Sequence, residues 1–328
     1  MFHPMKAPLL SATSAGTAAL ILVWVVAQAG ESDPLKVEIR GDGTVRLELE
    51  AAAGSVQRLE SSSDLESWRP LMSVEMPGTG TFELVDREPA SGGRRYYRSV
   101  SLPDGSLTGD HVSTTAGDVL IHPVDHASFV MRWEGKMIYN DPVGGASTYA
   151  GIPPADLVLI GHRHADHWSS STVNSIIKAE TVFVAPQDVY DLMSAPFKAR
   201  TTVLDNGASA ELIGLRVDAI PAYNNNHPQG RDNGYVLSIG GKRFYMSGDT
   251  GDIAEMRALE AIDVAFVAMN IPWTMSVDQA ASAIREFQPA VVYPYHYRNS
   301  GGSFADFNRL QGLIGDDLAI ELRLRDWY

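Results

Sequence analysis

Eight consecutive residues, Gly161 to Trp168, read GHRHADHW. His162, His164, Asp166 and His167 fall within six of them. Imidazole nitrogens and carboxylate oxygens are the donors that Zn²⁺ and similar divalent ions take. The apolar run LVLI at 157–160 leads directly into this segment and predicts a strand covered on both faces. Residues i and i+2 of an extended chain point to the same side, so His162 and His164 can meet at one ion. Asp166 and His167 follow where the chain turns toward a helix, and can swing to a second ion a few ångströms away. Three histidines and an aspartate this close are hard to place as an ordinary polar loop.

Further donors stand at the ends of other strand-like runs. His227 lies in AYNNNHPQG after LRVDAI, Asp249 in SGDT after KRFYM, and His296 in YPYHY at the end of AVVYP. Each is weak evidence alone. Together, all seven residues would converge on one rim of the sheets. Tyr223, Tyr295 and Tyr297 flank these positions, and both pocket lining and ordinary strand-end packing fit them. Trp273 and Met275 precede a capped helix and could form an apolar wall beside the site.

The elements that must position these groups are legible from about residue 118 onward. VLIHPV, SFVMRW, KMIYND, TVFVA, YVLSI and VAFVAM supply further β-type runs. Val173, Ile176 and Ile177 sit at i, i+3 and i+4, which predicts a helix near 170–179 capped by one of Ser169 to Ser171. Ser276 and Gln279 form a capping box ahead of a stripe of Val277, Ala280, Ile284 and Phe287. Strands alternating with helices predict a layered α/β architecture. Residues 35–101 instead read as all-β. Val37 and Ile39, then Val45, Leu47 and Leu49, alternate around Gly41-Asp42-Gly43, a hairpin signal. Runs at VQRLES, TFELVD and YYRSVSL continue the pattern, and Trp68, Tyr96 and Tyr97 fit a core better than a sugar platform. Residues 102–117, rich in Gly, Ser, Thr and Asp, read as a linker.

The pattern HxHxDH, then His, Asp and His, resembles the metallo-β-lactamase-fold hydrolase superfamily. Within it, the finer similarity is to ascorbate-phosphate lactonases and N-acyl phospholipase D-like enzymes. DHASFVM, the NDP at Asn140 to Pro142, GYVLSIGGKRFYMSGDT and TMSVDQA carry that similarity, which covers residues 118–328. The resemblance implies a four-layer αββα sandwich with its site on one rim, preceded here by a small all-β sandwich domain. It implies that His162, His164 and His227 hold one metal ion, that Asp166, His167 and His296 hold a second, and that Asp249 bridges both. Asp141 matches an early Asp of the family and is expected to orient a ligand histidine. His126 falls in a GHAS-like position, with Asp125 where the family commonly has Gly, and no catalytic role is assigned to it. His3, His111 and His122 match nothing. The β module resembles small sandwich modules of exported bacterial proteins, in which a segment like SSSDLESW precedes a YYR strand.

Composition bounds the chemistry. The 328 residues suggest about two domains, and 45% hydrophobic content is enough for substantial cores. There are no cysteines, which removes disulfides, thiolate ligands, a Cys nucleophile and a Cys-linked lipid anchor. It also argues against β-lactam hydrolysis, because antibiotic-degrading relatives typically place Cys in the second metal site. A net charge of −14 and a pI near 5.0 argue against a nucleic-acid partner. Residues 1–29 read as a signal peptide, with Lys6, an apolar run from Thr17 to Ala27 and the cleavage pattern Ala27-Gln28-Ala29. That run is too short to span a bilayer as a helix, so no stable membrane anchor is expected after cleavage.

The expectation is therefore an exported metal-dependent hydrolase of residues 118–328 acting on a small molecule. Two divalent ions, Zn²⁺ first and Mn²⁺ or Fe²⁺ next, would activate a bridging hydroxide against a lactone or ester, with Asp249 and Asp166 as the participating carboxylates. The alternatives are a phosphodiesterase acting on a phospholipid or other small diester, and a non-catalytic exported binding protein.

Overall fold

The computed structural model describes the backbone of residues 22–25 together with residues 35–87 and 94–328, and divides after His111 into two compact units. The expected signal peptide lies outside the described residues except for Leu22–Val25, a strand paired parallel with Arg94–Leu102. His3 is outside them as well.

In the N-terminal unit, Leu35–Ile39, Val45–Glu50 and Thr81–Asp86 form a three-stranded antiparallel sheet. Gly43, at φ 84°, makes the turn that the first hairpin needs. Period two then buries Val45, Leu47 and Leu49 on one face. Val56–Ser62 pairs antiparallel with both Arg69–Glu75 and Arg94–Leu102. Leu59, Met72, Val74 and Tyr97 from these strands share one core with Leu47 and Leu49. Tyr97 is fully buried and its hydroxyl donates to Asp86, as a core residue does, while Trp68 lies half-buried beneath the Arg98 guanidinium.

The expected linker 102–117 is corrected in part. Gly109–Thr114 is a strand, in which Gly109 and Asp110 pair with Ser73 and Met72 and His111 hydrogen-bonds Ser73 at 2.8 Å. Backbone pairing overrides a turn-like composition here.

The second unit holds two sheets with one core between them. In the first, Gly117–Asp125, Ser128–Trp133 and Lys136–Asn140 are antiparallel, and Ala155–Leu159, Ile177–Ala185 and Thr201–Val203 follow in parallel. The second sheet runs from Ser209–Leu212 through Leu215–Ala222, Asp232–Ile239, Lys242–Met246, Val264–Ala268 and Val291–Tyr295 to Glu321–Leu322. Phe129, Leu157 and Leu159 from one sheet and Tyr235, Leu237 and Phe266 from the other belong to a single buried cluster. Helices Ser170–Ile176 and Val277–Phe287 begin at the expected caps, Ser169 and the Ser276–Gln279 box. The first helix stops at Ile176, earlier than its apolar spacing predicts, because Ile177 turns extended and pairs with Ala155 as the next strand begins. The unit is the αββα sandwich of the metallo-β-lactamase fold. Among the described residues, no helix is long and apolar enough to cross a membrane.

Pairing direction fixes where the chemistry can gather. Lys136–Asn140 and Ala155–Leu159 run parallel, and two antiparallel pairings give Gly117–Asp125 the same direction. In the other sheet, Lys242–Met246, Val264–Ala268 and Val291–Tyr295 are parallel, and Leu215–Ala222 again matches them through two antiparallel pairings. The residues after these strands therefore emerge together at one edge of each sheet. Asn233 N donates to Gly161 O at 3.0 Å and the Tyr235 hydroxyl to Ile160 O at 2.8 Å, so the two edges are tied to each other.

Close backbone approach at this edge makes Gly234 sensitive. A Cβ there would lie 2.6 Å from Met246 O and 2.8 Å from Ser247 O. Gly234→Ala is expected to destabilise the second unit by about 1–3 kcal/mol in chemical denaturation. Gly312→Ala, in open space on the helix Phe307–Ile314, is expected to stabilise by up to about 1 kcal/mol. Equal effects from both would show that the crowding at Gly234 is not real.

Candidate metal centre

Most groups of the site stand just beyond a strand end. His126 follows Gly117–Asp125, Asp141 follows Lys136–Asn140, His162 to His167 follow Ala155–Leu159, Asp249 follows Lys242–Met246, and His296 follows Val291–Tyr295. Three of them have left-handed backbone: His126 at φ 55°, Asp141 at φ 42° and His296 at φ 48°. Such strain in non-glycine residues is held only where neighbours over-determine it. Here Asp141 N donates to Leu159 O, His296 N donates to His126 O, and His126 N donates to Trp327 O, all within 2.9–3.1 Å.

The seven residues singled out in the sequence meet in one place. His162 Nε2 lies 3.1 Å from His164 Nδ1, and His162, His164 and His227 offer three nitrogens to a common point. His167 Nε2 lies 3.1 Å from His296 Nε2. Asp166 joins this second group, its Oδ2 lying 3.7 Å from His296 Nε2 and 4.0 Å from His167 Nε2. Asp249 sits between the two groups. Its Oδ2 faces His162 Nε2 at 3.9 Å and His227 Nε2 at 3.6 Å, while its Oδ1 faces His167 Nε2 at 3.3 Å and His296 Nε2 at 3.4 Å. One carboxylate thus addresses both clusters, one oxygen to each.

Carboxylates behind the rings set which nitrogen faces inward. Asp141 Oδ2 accepts from His167 Nδ1 at 2.8 Å, and its Oδ1 accepts from Gly161 N at 2.7 Å. Asp232 Oδ2 accepts from His227 Nδ1 at 2.8 Å and is itself gripped by the Arg231 guanidinium. With Nδ1 bonded to a carboxylate, Nε2 of each ring is the nitrogen left to face the centre, as metal ligation requires. Burial, aided by the neighbouring His167, holds His162 well below the usual histidine range, so its ring is neutral. Burial also lowers His164, with His227 assisting. Burial alone would raise the Asp249 carboxyl, but His296 and His167 outweigh it and hold the group ionised far below its usual range.

The donor set fits a divalent cation. Among the described residues, four overlapping groups of three such side chains bring their donor atoms close enough to hold an ion, and the buried Asp249 Oδ1 faces His167 and His296 without a hydrogen bond of good geometry. A buried charged oxygen left without a donor is costly unless a cation meets it.

Not every sequence expectation survives. Tyr295 is buried and its hydroxyl accepts from Gly248 N at 2.9 Å, so it braces the Asp249 loop and does not line a pocket. Tyr297 is likewise buried and bonded to the Arg325–Trp327 backbone. Met275 is fully buried in the core and cannot form an outer wall, whereas Trp273 is exposed. Tyr223 donates to Glu255 at 3.0 Å. His126, assigned no role from its position, stands at the centre: its Nε2 lies 3.2 Å from Asp166 Oδ2. Asp232 was not singled out either, since an acidic residue opening a strand carries no signal of its own.

Comparison with known proteins agrees with this geometry. Residues 120–296 match the family model of the beta-lactamase superfamily domain, a span that contains every residue of the two clusters. A UPF0173 metal-dependent hydrolase of Pyrococcus abyssi is 27% identical over 203 residues, covering 58% of this chain and 90% of that protein. A solved structure from Parabacteroides distasonis, assigned as a metal-dependent hydrolase, is 34% identical, with a TM-score of 0.60 over 67% of this chain and 98% of its own. Igni18, a metallo hydrolase from Ignicoccus hospitalis, is 26% identical, with a TM-score of 0.55 over 63% and 95% of the two chains. The chain belongs to the metallo-β-lactamase superfamily and is a metal-dependent hydrolase.

Proposed function

We propose that the site takes two divalent cations, with Zn²⁺ the best match, and hydrolyses a lactone or ester of a small molecule. The observation that carries this reading is Asp249, whose two oxygens face two separate sets of imidazoles. His162, His164 and His227 would hold one ion, Asp166, His167 and His296 the other, and Asp249 both. Donors that are all nitrogen and oxygen suit Zn²⁺, with Mn²⁺ and Fe²⁺ as alternatives. Bound there, the ions would supply Lewis acidity and a water whose pKa falls from ~15.7 toward about 7.

The chain's own residues supply position and polarity. Asp249, buried, fixes the two halves of the site relative to each other. Asp166 is half exposed and brings a carboxylate to the solvent side, where it can accept a hydrogen bond from an incoming group. On the loops around the site, Arg163 and Arg231 are engaged by Asp188 and Asp232, and Arg298 lies over the Tyr328 ring. Cations already committed to partners favour an uncharged acyl group over a phosphodiester. Lys6, the apolar run that follows it and Ala27-Gln28-Ala29 support an exported protein.

Elemental analysis of purified protein is expected to give two equivalents of metal, and one equivalent or none after supplementation would refute the binuclear reading. A panel of chromogenic lactones, aryl esters and bis-aryl phosphates is expected to show preference for the first two, and a preference for the phosphates would overturn the substrate assignment. His164→Ala is expected to abolish turnover with the thermal midpoint little changed, and full activity in that variant would contradict the ligand set. Asp141→Asn and Asp232→Asn are each expected to weaken metal affinity by about 10–100-fold. Titration with a competing chelator measures this, and wild-type affinity in both variants would show that these carboxylates do not orient His167 and His227.

A further inference from the structure

His126 is held from every side. Its backbone is bonded at both ends, N to Trp327 O at 3.0 Å and O to His296 N at 3.1 Å. Its ring lies against that of His296, with centroids 3.7 Å apart. Its Nδ1 is 2.8 Å from the Tyr328 hydroxyl, and its Nε2 is 3.2 Å from Asp166 Oδ2. Tyr328 is fixed in turn: Phe304 stacks on its ring, and Arg298 covers it at 4.4 Å.

Distances alone permit His126, Asp166 and His296 to hold a cation together. The hydrogen-bond chain favours another role. The Tyr328 hydroxyl already accepts from Arg298 N at 3.3 Å, which leaves its O–H to donate to Nδ1, whereas a proton on Nδ1 in place of Nε2 would set the Nε2 lone pair against the Asp166 carboxylate. With Nδ1 accepting, the ring proton sits on Nε2 and is aimed at the Asp166 carboxylate. His126 then donates to Asp166 Oδ2, the oxygen that also faces His296 and His167, and fixes the carboxylate's orientation from the side, as Asp141 and Asp232 fix His167 and His227 from behind.

Resting on the binuclear reading, we infer that His126, set in one tautomer by Tyr328, is a positioning residue that aims Asp166 at the second metal ion. The contact matters most at Asp166 because that carboxylate is half exposed, while the histidines of its group are buried. Without a donor on Oδ2, its side chain is free to turn to solvent.

The test is titration of metal-free protein with Co²⁺, following the visible absorption of each equivalent, on wild type and the variants Tyr328→Phe, His126→Asn and His126→Gln. Asn tolerates the left-handed backbone at 126 but cannot reach Asp166 with a donor, whereas the Gln amide can. Near-ultraviolet dichroism confirms that each variant is folded. The second equivalent is expected to bind about 10-fold or more weakly in Tyr328→Phe and His126→Asn, with an altered spectrum, and the first to bind as in wild type. His126→Gln is expected to recover most of the affinity. Unchanged second-site affinity and spectrum in Tyr328→Phe and His126→Asn would overturn the inference, as would equal loss in Asn and Gln. A wild-type protein that takes only one equivalent would instead refute the binuclear reading itself.

Discussion

A carboxylate buried among four imidazoles is the constraint on which the catalytic unit is built. Asp249 is almost fully buried, ionised, and has an oxygen with no hydrogen-bond donor. Charge in such a place is tolerable only when opposite charge meets it. Nothing in a self-sufficient core calls for this arrangement, whereas a metal-dependent site does. The surrounding architecture then follows as the means of holding lone pairs at close range. Strands of both sheets run the same way to one edge, cross-sheet bonds at Gly161–Asn233 and Ile160–Tyr235 tie those edges together, and strained backbone at His126, Asp141 and His296 aims the side chains. Each left-handed residue costs on the order of 1–3 kcal/mol, supplied by the packed unit around it.

Support around the site is layered. Ring nitrogens and carboxylate oxygens face the centre, Asp141 and Asp232 stand behind His167 and His227, and Gly161 N and the Arg231 guanidinium hold those two carboxylates in turn. Asp141 shows the economy of this scheme, since it accepts from His167 on one oxygen and from Gly161 N on the other. A single residue thereby orients one ligand and anchors the loop that carries His162, His164, Asp166 and His167. Trp273, Phe304 and Tyr328 are exposed, in contrast to the buried centre.

The residues of the two clusters were legible in the sequence because donor types concentrated in GHRHADHW and recurred after strand-like runs. Period two and the capping boxes placed most strands and the helix Val277–Phe287. What the sequence hid was mostly a matter of partners distant along the chain. His126 was given no catalytic role because its meaning depends on Asp166 and Tyr328, 40 and 202 residues away. Asp232 and the strand Gly109–Thr114 were silent for the same reason: each is defined by what it pairs with. The choice at Tyr295 and Tyr297 stayed open, and Met275 was placed on the wrong side, because an aromatic or apolar residue beside a site residue has the same local signature whether it faces the pocket or the core. The end of the first helix at Ile176 was missed because the competing strand pairing with Ala155 outweighs a continued apolar stripe.

The central claim is that two cations share Asp249. Anomalous diffraction from crystals of the zinc-loaded protein, recorded on both sides of the zinc edge, tests it most directly. Two zinc peaks about 3.5–4 Å apart, one against each oxygen of Asp249, are the predicted result. A single peak, or peaks that leave the Asp249 carboxylate without a metal neighbour, would contradict it.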